Sequence, residues 1–514
     1  MFKKAVFITM LLLALSFGTA FALNIDSMSS RQTLADPTAL PSGTPVNVFV
    51  NPGGLGDVLI YGYYNVRNNN EVIFTVTNTA TVGARVRIRF REAATLVQTV
   101  GGPTIPGCDN GSQEVLDFDI CLTKNDMWTG QIQSDSNGAG RLFSTDTDTF
   151  IQASVATAGN PNPAVIFPTA FPGGVEFKFG TSNLGITADQ TREGYFEILG
   201  ERQLSSACGT TGLPDCTCGD LLDVDANGAP IDTVATGGGP AGGVDVANVL
   251  MGHAYIVNLG SSATFAYAAT ALADFANADI SNSLTSARPN LKQDSESGDI
   301  GPVNYALTKS AVMSIYDVEA GLNGKTELIV NFPTKWATHV DFFESEENEC
   351  DPGPLGTSAE EVGNDIFDDP RVAITVFDDA EHSPTSSCQF SPCPPGTEVK
   401  LPHEINLIDI NGSGIFTSDV VTKIATAFDF GWIKINLTTG ATGAPAVPHL
   451  TACDASDGPP AICSTDGTDP DPGGGSAVSH GLPAIGYAVM TFGGSDFSGL
   501  IPLQYTTQID PETL

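Results

Sequence analysis

Alternation of apolar and polar residues at period two is the feature that most limits what this chain can fold into. It recurs in DVLIYGYYNV (57–66), EVIFTVTN (71–78), ARVRIRFRE (84–92), EVLDFDICL (114–122) and EGYFEILGE (193–201). It returns in HAYIVNL (253–259), TELIVNF (326–332), RVAITVF (371–377), GWIKINL (431–437) and AIGYAVMTF (484–492). Successive side chains of a strand point to opposite faces, so such runs suit ribbons with one face buried and the other wet. Thr, Val, Ile, Phe and Tyr dominate them, and these residues pack well on a pleated surface. Clusters of Gly, Pro, Asn and Asp bound them. Only 269–280 and part of 304–316 read as helix. The pattern predicts an all-β fold of two, or three, antiparallel β-sandwich domains with long Gly/Pro-rich loops and little helix.

Segments without alternation suggest the domain plan. Residues 1–22, MFKKAVFITMLLLALSFGTAFA, have the form of a secretion signal. Lys3 and Lys4 precede an apolar run, and Ala20-Phe21-Ala22 fits a small-x-small cleavage site. The run is short for a membrane span. Residues 23–205 are expected to form an N-terminal β-sandwich, 206–243 a Cys/Gly-rich connection, and 244–514 a C-terminal β-sandwich. The second domain would carry an acidic insertion at 344–370 and a loop at 453–481.

The chain has 59 Asp+Glu against 22 Lys+Arg, a formal net charge of −37. Such a surface repels nucleic acid and acidic lipid headgroups and attracts divalent cations. Disorder is the competing reading of an acidic chain, but a 41% hydrophobic content supplies material for a large core. Ten cysteines in an exported protein suit disulfides better than metal or redox sites. Cys108 with Cys121 and Cys453 with Cys463 form obvious local pairs. Pairing within the groups Cys208/Cys216/Cys218 and Cys350/Cys388/Cys393 stays open.

In so acidic a chain, Arg85, Arg87, Arg89 and Arg91 stand out because they share one face of 84–92, with Val86, Ile88 and Phe90 on the other. In 114–122, Asp117 and Asp119 oppose Leu116, Phe118 and Ile120 in the same way. If the two strands are neighbours, arginines face aspartates on the wet side, each pair contributing about 0.2–1 kcal/mol. The alternative is an anion-binding strip for the phosphates of a glycolipid or for an acidic polysaccharide, since guanidinium forks match such groups.

Two stretches resemble the first half of a calcium loop, in which oxygens at alternate positions converge on a hard cation. One places Asp223, Asp225 and Asn227 before Gly228; the other places Asp409, Asn411 and Ser413 before Gly414. The first lacks the terminal Glu, and in the second Asn-Gly and Ser-Gly also read as plain turn residues. SDSNGAG (134–140) reads as a hairpin turn. Calcium is the only cofactor these patterns suggest. No Gly-x-Ser-x-Gly elbow, His-Glu-x-x-His pair or phosphate-binding Walker loop is present. Ser479 and His480 are adjacent, so their side chains diverge on a strand. Trp128, Trp336 and Trp432 suit either buried anchors or a sugar-stacking platform.

The blocks GGLGDVLIYGYYNVRNNNEVIFTVTN, VRIRFRE, EVLDFDICLTKNDMWTG, REGYFEILGE, HAYIVNL and NFPTKWATHVDF, in this order, resemble a group of secreted, β-rich cell-surface proteins of Gram-negative bacteria. The resemblance implies an extracellular or outer cell-surface location and carries no catalytic residue. The leading expectation is an exported structural or interaction protein with no enzymatic role. It would pair with itself into a layer or filament, assisted by calcium. A carbohydrate- or glycolipid-binding adhesin is the alternative, and an exported hydrolase stands third.

Overall fold

In the computed structural model, each of these alternating runs lies on a β-strand. The structure describes residues 48–93, 112–146, 150–154, 164–168, 171–179, 186–204, 243–244, 248–275, 291, 301–335, 371–379, 399–401, 403–437, 449–451, 478–480, 482–494 and 497–510. Residues 1–22, 206–242, 344–370 and 453–477, where a leader, a connection, an insertion and a loop are expected, lie outside these residues.

The first sandwich begins with β1 (Phe49–Val50), β2 (Val58–Asn65), β3 (Asn70–Asn78), β4 (Ala84–Glu92) and β5 (Glu114–Leu122). It continues with β6 (Met127–Ser134), β7 (Gly140–Ser144), β8 (Phe150–Ser154), β9 (Ala164–Pro168) and β10 (Phe171–Glu176). It closes with β11 (Glu193–Leu204), β12 (Gly243–Val244), β13 (Leu250–Asn258), β14 (Thr264–Ala268) and β15 (Thr270–Ala273). A nine-stranded sheet runs β1-β15-β2-β11-β4-β5-β8-β9, with β12 also on β11. A six-stranded sheet runs β10-β7-β6-β3-β13-β14. Aromatic rings join the two faces: Phe74 of β3 meets Tyr61, Phe90 and Phe196 of the larger sheet with centroids 5.8, 5.9 and 4.5 Å apart. Such edge-on and tilted contacts match the quadrupole preference of aromatic pairs.

The tight turn between β2 and β3 has Asn68 and Asn69 at φ 50° and 64°, and the Asn70 amide donates to the Arg67 carbonyl. Both central residues are left-handed, as in a type I′ hairpin, and Asn tolerates that region best after Gly. The turn expected at 134–140 joins β6 to β7, with the Asp135 carboxylate accepting the Asn137 and Ala139 amides.

The second sandwich opens with a short helix α1 (Gly301–Leu307), then β16 (Thr308–Lys309), β17 (Ala311–Asp317), β18 (Lys325–Asn331), β19 (Arg371–Asp378) and β20 (Val399–Lys400). Next come β21 (Ile405–Ile410), β22 (Val421–Ile424), β23 (Phe430–Asn436), β24 (His449–Thr451) and β25 (Val478–His480). The last strands are β26 (Leu482–Pro483), β27 (Ile485–Phe492), β28 (Phe497–Pro502), β29 (Gln504–Thr506) and β30 (Gln508–Asp510). One five-stranded sheet runs β20-β19-β23-β17-β29 and the other β22-β21-β18-β27-β28. Between them Val312, Leu328, Val330, Ile374, Ile408, Ile433 and Ala488 form a core. The opposite face of β18, β21 and β27 carries Ile329, Ile405, Leu407, Tyr487 and Val489, and these join the core of the first sandwich. That sheet is therefore buried on both sides.

Three expectations are corrected. The first sandwich does not end near 205. The strands between 250 and 273 belong to it, because β13 pairs with β3 along its whole length and β15 inserts between β1 and β2. Within 269–280, Thr270–Ala273 is a strand, its Ala271 and Leu272 buried against β2. Within 304–316, helix stops at Leu307 and the remainder enters β16 and β17. In both cases burial in a sheet outweighs local helical propensity, which is worth only tenths of a kcal/mol per residue.

Candidate functional site: a buried ionic layer at the junction of two sandwiches

The arginine face starts from strand register. Opposite β4, Arg87 meets Asp119, Ile88 meets Phe118, Arg89 meets Asp117 and Phe90 meets Leu116 of β5. The anticipated neighbours are thus neighbours. On the other flank Arg89 meets Glu197 and Arg91 meets Tyr195 of β11. A register shift between Gly200 and Arg202 brings Glu201 to Arg85.

The anticipated wet face does not exist. Arg85 and Arg87 are each 2% exposed, Arg89 3% and Arg91 5%. Their partners are mostly carboxylates. Asp119 accepts Arg85 Nη2 at 2.5 Å and Arg87 Nε at 2.8 Å. Glu201 lies 2.5 Å from Arg85 Nε, Arg89 binds Glu114, and Arg91 Nη1 donates to the Ser112 carbonyl at 2.8 Å. Asp117 lies opposite Arg89 in register, yet its ion pair is with Lys178, at 3.8 Å. An open anion strip is corrected with the wet face: these guanidiniums already hold protein groups out of solvent.

Burial and charge compete at every member. Burial disfavours the charged form of Arg85, but Glu201 and Asp119 reverse this and raise its pKa. Asp119 and then Glu201 do the same for Arg87. Burial would raise Glu114, but Arg89 and Arg91 hold it down at about 2. At Asp117, Glu197 and Glu404 burial wins, and each carboxyl is pushed up.

The layer continues into the second sandwich. Glu404, fully buried just before β21, accepts the Ser112 amide at 2.9 Å, and the Tyr195 hydroxyl donates to the Pro333 carbonyl at 3.2 Å. A second polar bridge forms on Glu193. It accepts the Tyr63 hydroxyl at 2.8 Å and lies 3.7 Å from Arg67 Nε. Arg67 reaches Asp189 at 2.5 Å and Asp419, in the loop between β21 and β22, at 2.6 Å. The Asn65 amide donates to the Thr417 carbonyl, and Asn331 Nδ2 donates to the Gly62 carbonyl, each at 3.0 Å.

The 409–414 loop is closed on itself. Asp409 Oδ1 accepts both the amide and the hydroxyl of Ser413, at 2.5 and 2.7 Å. Asn411, at φ 57°, exchanges hydrogen bonds with the Thr426 backbone at 2.7 and 3.0 Å. Asn411 is therefore directed to Thr426 while Asp409 and Ser413 bind each other. Beside them Glu327 accepts the amides of Ile415 and Phe416 at 2.6 and 3.0 Å. Burial pushes Glu327 up to about 7, against those hydrogen bonds and with help from Asp409. Among the described residues no group of three His, Cys, Asp or Glu is placed to hold a metal.

Asp223, Asp225 and Asn227 lie outside the described residues, as do Cys108, Cys453, Cys463 and Trp336. Cys121 lies on β5, with its side chain outside the described ones. Trp128 is fully buried against Phe74 and Phe118, and Trp432 stacks on Phe377 at 4.0 Å. These two do not form one platform.

Sequence reasoning missed Arg67, Glu193, Glu197, Glu201, Glu327 and Glu404. Part of the signal was present, because Glu193, Glu197 and Glu201 recur every fourth residue and so share the parity of one strand face. Fold and site together define an all-β protein of two sandwiches joined across a buried ionic junction. Compared with known proteins, the chain matches no family model, no curated protein sequence and no solved structure. Among the described residues no helix is long and apolar enough to cross a membrane.

Proposed function

We propose that this chain is an exported structural or interaction protein of a bacterial cell surface, which assembles with copies of itself, with calcium bridging acidic faces. The observation that carries this reading is the inward use of charge. The arginine stripe, the most reactive-looking feature of the sequence, binds Asp119, Glu201 and Glu114 inside the fold. A cross-braced rigid unit is what a layer or filament requires. The leader-like 1–22 and the resemblance to secreted surface proteins support the location. Asp223, Asp225 and Asn227 are the candidate calcium ligands. Negative-stain microscopy of the purified chain, with calcium and with chelator, tests the proposal. Sheets or fibres that dissolve in chelator are the expected result, and a monomer under all conditions overturns it.

A second reading, a glycan-binding adhesin, is favoured by one cleft. A cavity of about 280 Å³ lies between the sandwiches, lined by Asn68, Asn69, Ser261, Lys325 and Thr491 around Phe265. The Thr491 hydroxyl is buried and finds no hydrogen-bond partner among the described residues. Amides, a hydroxyl and one ammonium beside an aromatic ring suit a sugar. Glycan-array binding that Lys325→Ala abolishes would establish this reading.

A further inference from the structure

The six-stranded sheet turns one face to the first core and the other outward. On the outer face the register sets Tyr255, Ile73, Gln131 and Phe143 in one row across β13, β3, β6 and β7. Thr75 and Thr129 stand side by side in the next row. Tyr255 is 41% exposed and Met127, at the end of β6, 53%. Across β14, β13, β3 and β6 this face carries one formal charge, Glu71, whose carboxylate already accepts Gln131 Nε2 at 2.7 Å. In a chain of net charge −37 this face is poor in charge. Four strands about 4.8 Å apart and some eight residues long cover ~500 Å², the scale of surface patches that mark interaction sites.

We propose that this face is where a second copy of the chain docks, sheet against sheet. The inference rests on the self-assembly reading above and gives it a surface. Two copies so acidic repel each other over most of their surface, and least where neither presents charge. The face is also self-complementary. Glu71 and Arg141 lie on either side of Gln133, one strand away each. A twofold axis along β6 therefore sets Glu71 of each copy over Arg141 of the other, and Ile73 over Phe143. Arg141 keeps its own partners Asp135, at 3.3 Å, and Glu176, at 3.9 Å, at the margin of the face. Isologous pairing of this kind is the commonest closed symmetry, and aligned sheets pack about 10 Å apart.

The test is sedimentation velocity of the purified chain at about 0.15 M and about 1 M salt, since screening removes the repulsion but not apolar contact. Association that strengthens with salt is expected. Tyr255→Glu and Thr75→Glu should each raise the dissociation constant at least ~tenfold, with melting temperatures unchanged. Ile315→Glu, at a 38% exposed position on the other sandwich, should leave it unaltered. Assembly that survives both face variants overturns this surface and leaves the self-assembly reading standing. A monomer at every salt concentration, with calcium and with chelator, overturns both. A monomer that binds glycans until Tyr255 is changed assigns the face to sugar and overturns the second copy.

Discussion

Asp119 is the residue on which most local electrostatics converge, because one carboxylate accepts from two buried guanidiniums. Removing one partner of a buried ion pair leaves charge without compensation in a poorly polarisable place. Asp119→Asn is expected to destabilise the fold by about 3–5 kcal/mol, read as a lower denaturation midpoint with an unchanged slope. Retention on cells should not depend on the arginines except through folding. At Glu327 the free energy runs through protonation. Its folded pKa of about 7 stands above the ordinary 4.5, so the folded state holds a proton that the unfolded state releases. Its stabilising share is full below about pH 4.5 and is lost as pH rises through 7. Glu327→Gln is expected to flatten the decline of unfolding free energy between about pH 5 and pH 8, measured by denaturant titration at each pH. The variant sacrifices one of the two amide acceptors.

Among the elements, β4 shows why alternation was read correctly for fold and incorrectly for solvent. Its period of two is real, and Val86, Ile88 and Phe90 do face the core. Yet the polar half is buried as well, so the contrast along the strand is between an apolar and an ionic interior. β2 is also buried throughout. At its Gly62 a Cβ would stand 2.9 Å from Tyr487 Cε2 and 3.0 Å from Ile485 Cδ1 of β27. The missing side chain allows the two sandwiches to approach. Gly62→Val is expected to cost about 1–3 kcal/mol by overpacking. It should also speed proteolysis within the loop between β21 and β22, because Asn65 and Arg67 would lose their hold on Thr417 and Asp419. Equal cleavage rates for variant and parent would refute that coupling.

For the whole molecule, the two sandwiches share one apolar cluster and several buried polar bridges, so they should unfold together. A single calorimetric transition is expected, and two separated ones would show the junction to be weak. The buried carboxyls also set the pH profile. Asp117, Glu193, Glu197 and Glu404 are raised by burial, like Glu327, and each contributes stability that fades as pH rises through its folded value. Glu114 is lowered to about 2 and acts in the opposite sense, its contribution present above its unfolded value and lost as pH falls towards 2. The share of stability these groups carry should therefore peak near their ordinary value of about 4.5, falling on the acid side through Glu114 and on the alkaline side through Glu327. A melting temperature that climbs steadily from pH 5 to pH 9 would contradict this assignment of the carboxyls.

By itself the sequence determined the ten alternating strands and the hairpin at 134–140, and it offered the pairing of 84–92 with 114–122. Each follows from side-chain parity and turn chemistry, which act over a few residues. Only the tertiary structure decided that β13 to β15 complete the first sandwich. It alone decided that the arginine face is sealed, and that Glu404 and Asp419 reach back to Ser112 and Arg67. Those contacts join residues hundreds of positions apart. Parity states which side a residue takes and says nothing of what covers that side.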